Sequence, residues 1–150
     1  MHLDRRLTWQ RHLEAKQTQA KLQFSKLYWM LGKNSKLSID HKILIFNMII
    51  KPIWCYGIQL WGTASKSSIE KIQKVQSKIL RTICGAPWYV KNKNIHNDLK
   101  IDTINEEINK CSTRYSDKLR NHPNNLASEL LNRNYIKRLK RSDTHDIGVS

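Results

Sequence analysis

The sequence predicts an all-α protein, a helical bundle, and three observations support this prediction. Only 5 glycines and 3 prolines occur among 150 residues, so few positions interrupt a helix. Apolar residues recur three or four positions apart in several segments, which is the spacing of the buried face of an amphipathic helix. Residues that typically begin or end helices flank those segments.

The first periodic segment predicts a helix over residues 9–31. Thr8 stands where an N-cap residue belongs, because its hydroxyl can accept a hydrogen bond from a free N–H of the first turn. Gly32 follows the last apolar position and is the predicted stop. The apolar positions in between are Leu13, Ala20, Phe24, Leu27 and Leu31.

Ser38 predicts the start of a second helix, which carries the most apolar run of the chain, residues 43–50. A buried strand is the alternative, since periodicity does not separate the two, but the serine cap and the length favour a helix. Pro52 predicts a kink or a break, because proline inside a helix costs about 3 kcal/mol or more. An apolar and aromatic cluster follows, which predicts either core or a docking surface: Ile53, Trp54, Tyr56, Leu60 and Trp61.

The third periodic segment predicts a helix over residues 67–84, with Gly85 as its C-cap and Pro87 just beyond. At about 100° per residue, five apolar side chains fall on one face: Ile69, Ile72, Val75, Ile79 and Ile83. The opposite face carries four cations: Lys71, Lys74, Lys78 and Arg81. This spacing predicts contacts with the phosphate backbone of a nucleic acid, and a solvated helix surface is the alternative.

The rest of the chain predicts a loop with a short helical turn over residues 88–100 and then two helices. Thr103 and Glu106 have the spacing of a capping box, at the start of a helix that passes through Ile108 and Leu119. A shorter helix is predicted over residues 126–131. A second group of candidate nucleic-acid-binding residues follows it: Arg133, Lys137, Arg138, Lys140 and Arg141.

Charge points to a polyanionic partner. The chain has 27 Lys and Arg against 12 Asp and Glu, a net charge of +15, and an isoelectric point near 10.0. The positive electrostatic field of such a chain favours nucleic acid as the partner. The alternative is a soluble basic protein that binds no polyanion. An acidic membrane surface is the rival polyanion, but no apolar run is long enough to span a bilayer and no secretory signal opens the chain. We therefore expect an intracellular protein, nuclear or cytoplasmic, without a membrane partner.

Candidate residues for chemistry are few. Cys55, Cys84 and Cys111 are far apart and predict reduced thiols, and neither they nor the scattered histidines have the spacing of a metal site. The adjacent pair Glu106 and Glu107 lies in the first turn of a predicted helix, where carboxylates complement the helix dipole. We therefore expect no catalytic residue, metal or cofactor in this chain, and no nucleotide incorporation by the chain alone.

Five tryptophans are many for a small helical domain. Trp54, Trp61 and Trp88 are candidates for stacking on bases, as aromatic residues do in proteins that bind single strands. Packing in the core is the favoured interpretation for all three, because their neighbours in the sequence are aliphatic and not cationic.

Several segments, read in chain order, match the pattern of a known family. They include Leu3-Asp4-Arg5-Arg6-Leu7-Thr8-Trp9, Lys51-Pro52-Ile53-Trp54-Cys55-Tyr56-Gly57, Ala86-Pro87-Trp88-Tyr89-Val90 and His122-Pro123-Asn124. In this order the chain resembles the jockey-type non-LTR retrotransposon polyprotein. The resemblance implies a helical thumb, with the region after it, that grips a template–primer of RNA–DNA hybrid or duplex DNA.

The resemblance also implies that the endonuclease, the fingers and the palm with its Ala-Asp-Asp motif lie outside this chain, which makes the missing palm domain an expected partner. We accordingly divide the chain into a thumb-like helical bundle (1–90), a C-terminal helical extension (91–141) and a disordered tail (142–150). A free-standing basic helical DNA-binding or structural protein is the alternative. The start of the 67–84 helix, Ser68-Ile69-Glu70, fits the base-reading end of a helix-turn-helix poorly.

Overall fold

The computed structural model describes residues 5, 8–124 and 126, and this part of the chain is built from helices without a strand. The prediction of an all-α helical bundle is therefore confirmed. Every helix in these residues is too short or too polar to cross a membrane. The helices are α1 (Gln10–Lys26), α2 (Tyr28–Leu31), α3 (Ile39–Ile45), α4 (Lys51–Cys55), α5 (Ile58–Trp61), α6 (Lys66–Cys84), α7 (Asn92–Asp98) and α8 (Ile104–Arg120), and a π-helical turn, Phe46–Ile50, joins α3 to α4.

The predicted helix over residues 9–31 is confirmed with one interruption, because α1 and α2 are separated at Leu27. The N-cap residue of α1 is Trp9 and not Thr8 as predicted, and the Trp9 side chain makes no capping hydrogen bond. Trp9 has a left-handed backbone (φ 61°), which costs an L-residue about 1–2 kcal/mol. Its indole is buried in the core, and this burial offsets the cost.

Ser38 begins α3 as predicted, since its hydroxyl accepts a hydrogen bond from the N–H of His41 at 3.4 Å. The apolar run 43–50 is helical, so the strand alternative is excluded. The break predicted at Pro52 was misplaced, because the irregularity lies before the proline. In the π turn the N–H of Lys51 donates to the carbonyl of Phe46, five residues back. This wider turn relieves the clash between the proline ring and the preceding turn that a regular helix would create.

The core forms around α6, against which α1, α3, α7 and α8 pack. All five apolar side chains predicted for its inner face are buried. Gly85 ends the helix in the left-handed conformation (φ 63°), as predicted for its C-cap. Trp54 and Trp61 also lie in the core, where the indole N–H of Trp61 donates to the carbonyl of Trp54 at 3.0 Å. Packing, the favoured interpretation, is thus confirmed for these two tryptophans.

The second half of the described chain follows the prediction closely. The 88–100 segment contains the expected short helix, α7. Both hydrogen bonds of the capping box between Thr103 and Glu106 are present at the start of α8. Apart from residue 126, the predicted helix 126–131 lies outside the described residues, as do the basic residues from Arg133 to Arg141 and the 142–150 tail. The boundary at residue 90 stays a prediction.

The three cysteines are free thiols, as the sequence predicts. Burial raises the pKa of Cys55 to about 11, and the nearby carboxylate of Glu107 adds to this shift. Burial also raises the pKa of Cys111. Both thiols are therefore protonated and poorly nucleophilic near neutral pH.

Candidate nucleic-acid interface

The outer face of α6 displays two exposed cations that have no partner in the part of the chain that the structure describes. Lys74 and Lys78 lie four residues apart, hence one turn apart on the same side of the helix, and both are exposed. Neither ammonium group forms a hydrogen bond or an ion pair with any residue that the structure describes. Both groups are consequently available to an anionic ligand.

Lys71, on the same face, has a partner within the chain. Its ammonium group lies 3.1 Å from a carboxylate oxygen of Glu14 on α1. Hydrogen bonds from Gln10 and then from Lys71 hold the pKa of Glu14 below its ordinary value. Because this ion pair is exposed, it is weak and is screened by salt. A phosphate could therefore displace the carboxylate of Glu14 at little cost in free energy.

Arg81, the fourth predicted cation, anchors the connection between α6 and α7. Its guanidinium donates to the carbonyls of Pro87 and Val90, each at 2.6 Å, and to the side-chain oxygen of Asn92 at 2.7 Å. These bonds reach 6 to 11 residues along the chain, across a turn. The sequence contains no periodic signal for such a contact, so this role was not predicted.

The turn held by Arg81 carries two exposed aromatic side chains. Trp88 is 90% exposed and Tyr89 is 70% exposed. Their ring centroids are 6.0 Å apart with an interplanar angle of 81°, so they touch edge to face. The predicted core packing was therefore wrong for Trp88, because the turn directs this indole away from the helices.

A cleft of about 730 Å³ lies between α6, α7 and the start of α8, and its wall includes Asn92, to which Arg81 donates. Lys93 and Lys100 contribute positive charge to its wall, and neither was among the predicted site residues. The local sequence offered a signal for the first of them, since basic and amide residues alternate over residues 91–94. The fold brings these residues beside the polar side of α6.

Two carboxylates also line the cleft, and both are already engaged. Asp102 lies 2.6 Å from the ammonium group of Lys110, and the hydrogen bond from Lys110 lowers the pKa of Asp102. Glu106 accepts hydrogen bonds from the N–H and the hydroxyl of Thr103, at 2.7 and 2.9 Å. These acids serve ion pairing and helix capping. Among the described residues, no group of three or more His, Cys, Asp or Glu side chains is arranged to hold a metal.

The floor of the cleft is a hydrogen-bond network centred on Gln73. The carbonyl of Ile101 lies 2.8 Å from Nδ1 of His96, which must donate this bond because a carbonyl only accepts. The amide oxygen of Gln73 accepts from the N–H of Ile104 at 2.8 Å, which turns the amide nitrogen towards Nε2 of His96 at 3.2 Å and Ser77 at 3.2 Å. Nε2 of the imidazole is then the acceptor. The network links α6, α7 and α8 through hydrogen bonds.

Comparison with known proteins gives relatives over nearly the whole chain. The chain is 43% identical over 97% of its length to a probable RNA-directed DNA polymerase from transposon X-element of Drosophila melanogaster. It is 39% identical over 93% of its length to the corresponding protein from transposon BS of the same species. It is 39% identical over 85% of its length to the RNA-directed DNA polymerase from mobile element jockey of Drosophila funebris. This chain is a homologue of part of the jockey-type retrotransposon polymerases.

The jockey-type relatives are much longer than this chain, which spans 16%, 15% and 14% of their respective lengths. These identities confirm the resemblance seen in the sequence motifs. No family model matches the chain, and no solved structure matches it. The individual contacts proposed for Lys71, Lys74, Lys78 and Arg81 stay predictions within this jockey-type segment.

Proposed function

We propose that this chain binds the phosphate backbone of duplex DNA or an RNA–DNA hybrid, as the thumb segment of a retrotransposon RNA-directed DNA polymerase. The observation that carries this proposal is the pair of exposed ammonium groups of Lys74 and Lys78 on the central helix, which have no partner among the described residues. The jockey-type relatives support it, since each is named as an RNA-directed DNA polymerase.

The arrangement suits a grip on phosphates that does not read the bases. Lysines one turn apart on a helix can follow a phosphate backbone, and as flexible point charges they carry no directional pattern that distinguishes base pairs. The opposite face of α6 is buried in the core, so the helix that presents these charges is held in place. We therefore expect the affinity for nucleic acid to depend steeply on salt concentration and little on base sequence.

In this proposal the chain binds the nucleic acid, and another part of the polymerase catalyses nucleotide transfer. The palm, which the family resemblance places outside this chain, is the expected protein partner. The described residues support this division, because their carboxylates in the cleft are committed to Lys110 and to the cap of α8. Transfer of nucleotides by two metals needs carboxylates that converge on the metal ions.

The test is the double variant Lys74→Gln and Lys78→Gln, measured by fluorescence anisotropy on a blunt DNA duplex over a series of salt concentrations. Each lost phosphate contact reduces the slope of log affinity against log salt by about 0.9, so the double variant should lose about 1.8. The two lysines are exposed, and circular dichroism should show an unchanged fold.

The matched control is the double variant Lys118→Gln and Arg120→Gln, which removes two exposed charges from the far end of α8. This control should keep most of the wild-type slope. A folded Lys74 and Lys78 variant with the wild-type affinity and slope would contradict the proposal, and these cations would then be a solvated surface. Lys71 and Arg81 are unsuited to this test, since both have partners inside the chain.

A further inference from the structure

The proposed binding of a duplex through Lys74 and Lys78 makes no use of the exposed aromatic pair on the α6–α7 turn. We propose that Trp88 and Tyr89 form a stacking platform for unpaired bases of a single-stranded nucleic acid that continues from the duplex. This inference rests on the proposed function, which it extends from paired to unpaired strands. The chemical feature recognised is the flat face of a nucleobase, which every base offers.

The pair stands on a well-anchored turn. The N–H of Val90 donates to the carbonyl of Pro87, and the N–H of Ala86 donates to the carbonyl of Arg81, at 3.2 and 3.1 Å. The three hydrogen bonds from the Arg81 guanidinium tie the same turn to α6 and to the start of α7. The aromatic rings are thus presented by a fixed backbone, and binding a base requires little reordering of the chain.

The geometry leaves an aromatic face open. An edge-to-face contact covers at most one face of one ring, and the indole of Trp88 remains 90% exposed. Large apolar rings that are anchored yet left in water are typical of binding surfaces. Trp54 and Trp61, by comparison, are 1% and 0% exposed and serve the core.

The charge around the platform selects a polyanion. Residues 71–97 contain no Asp or Glu and six cations, the last two of which flank the start of α7: Lys71, Lys74, Lys78, Arg81, Lys91 and Lys93. An apolar protein partner would gain nothing from this field, whereas a strand of phosphates would. Lys93 and Asn92 also lie on the wall of the cleft, which gives a strand leaving the platform a basic and amide-lined path.

An anionic membrane surface is the rival ligand, because Trp, Tyr and Lys also gather at membrane interfaces. Two features favour a nucleic acid. The cleft at the start of α7 offers the amide group of Asn97 and the amide nitrogen of Asn92, which suit bases and sugars. The relatives that share this segment are named as RNA-directed DNA polymerases, which act on nucleic acid strands.

The experiment compares three DNA ligands: a blunt hairpin duplex, the same hairpin with a short single-stranded overhang, and the overhang strand alone. The wild type should bind the overhang hairpin at least about fivefold more tightly than the blunt one, the gain expected from one stacked base. The double variant Trp88→Ala and Tyr89→Ala should reduce this ratio to about one. Trp88→Phe, which keeps an aromatic face, should retain part of the gain.

The matched control is Trp29→Ala, since Trp29 is 75% exposed on α2 and lies outside the platform. It should keep the wild-type ratio. The platform proposal is overturned by a wild-type ratio near one, or by a ratio that survives the double variant. In a parallel assay with anionic lipid vesicles, a double variant that loses binding to the vesicles but keeps the wild-type ratio on DNA also overturns it.

The overhang strand alone separates this inference from the proposed function. Suppose that the wild type does not bind the blunt duplex, yet binds the single strand and loses that binding in the double variant. This result would support the stacking platform and contradict the proposed binding of a duplex. A chain that binds neither ligand would overturn both proposals.

Discussion

At the scale of single residues, the half-buried side chain of Gln73 links three helices through hydrogen bonds. Its amide oxygen accepts from the N–H of Ile104, one of the first-turn donors of α8 that no helix carbonyl satisfies. Its amide nitrogen approaches Ser77 and the imidazole of His96. One side chain therefore satisfies polar groups on three helices that line the cleft.

We predict that Gln73→Leu lowers the free energy of unfolding by roughly 2–4 kcal/mol, because leucine has a similar size but leaves these partners without hydrogen bonds. Urea unfolding measures the effect. Gln59→Leu is the control, since Gln59 is exposed on α5, and it should change stability by less than about 0.5 kcal/mol. Equal stability of the two variants would show that the network contributes little.

At the scale of elements, the start of α8 depends on local chemistry. The hydroxyl of Thr103 accepts from the N–H of Glu106 at 3.4 Å, and the carboxylate of Glu106 accepts from the N–H of Thr103 at 2.7 Å. Two N–H groups that a helix leaves free are satisfied in this way. Because the pattern spans only four residues, the sequence alone revealed it.

We predict that Thr103→Ala destabilises the protein by about 1 kcal/mol through loss of this cap. The same substitution at Thr113 is the control, because Thr113 is exposed in the middle of α8 and its hydroxyl donates to the carbonyl of Asn109 within the same helix. That change should be within about 0.5 kcal/mol of neutral. Thermal unfolding of both variants decides, and a loss at Thr113 that matches the loss at Thr103 would rule out the cap as its cause.

At the scale of the whole molecule, repulsion among like charges opposes folding. The chain carries 27 basic and 12 acidic side chains, so most cations have no acidic partner. The described residues contain three ion pairs: Lys51–Glu107, Lys71–Glu14 and Lys110–Asp102. Added salt weakens these pairs but also screens the repulsion among the more numerous cations.

We therefore predict that the melting temperature at neutral pH rises as sodium chloride is added from low to physiological concentration. Differential scanning calorimetry measures it. The double variant Lys74→Gln and Lys78→Gln removes two of the repelling charges and should gain less from salt than the wild type. A melting temperature that falls with salt would mean that the three ion pairs outweigh the repulsion.

The sequence by itself determined the helical class, the ends of α2 and α6 and the capped starts of α3 and α8. These features depend on residues within one or two turns of each other, and periodicity and capping patterns record them directly. Only the tertiary structure decided which cations are free. Lys71 contacts Glu14, 57 residues away, and Arg81 bonds the connection to α7, whereas Lys74 and Lys78 meet no partner among the described residues. The packing of the helices determines these partners. The spacing of residues along one helix does not indicate which residues of other helices lie near it.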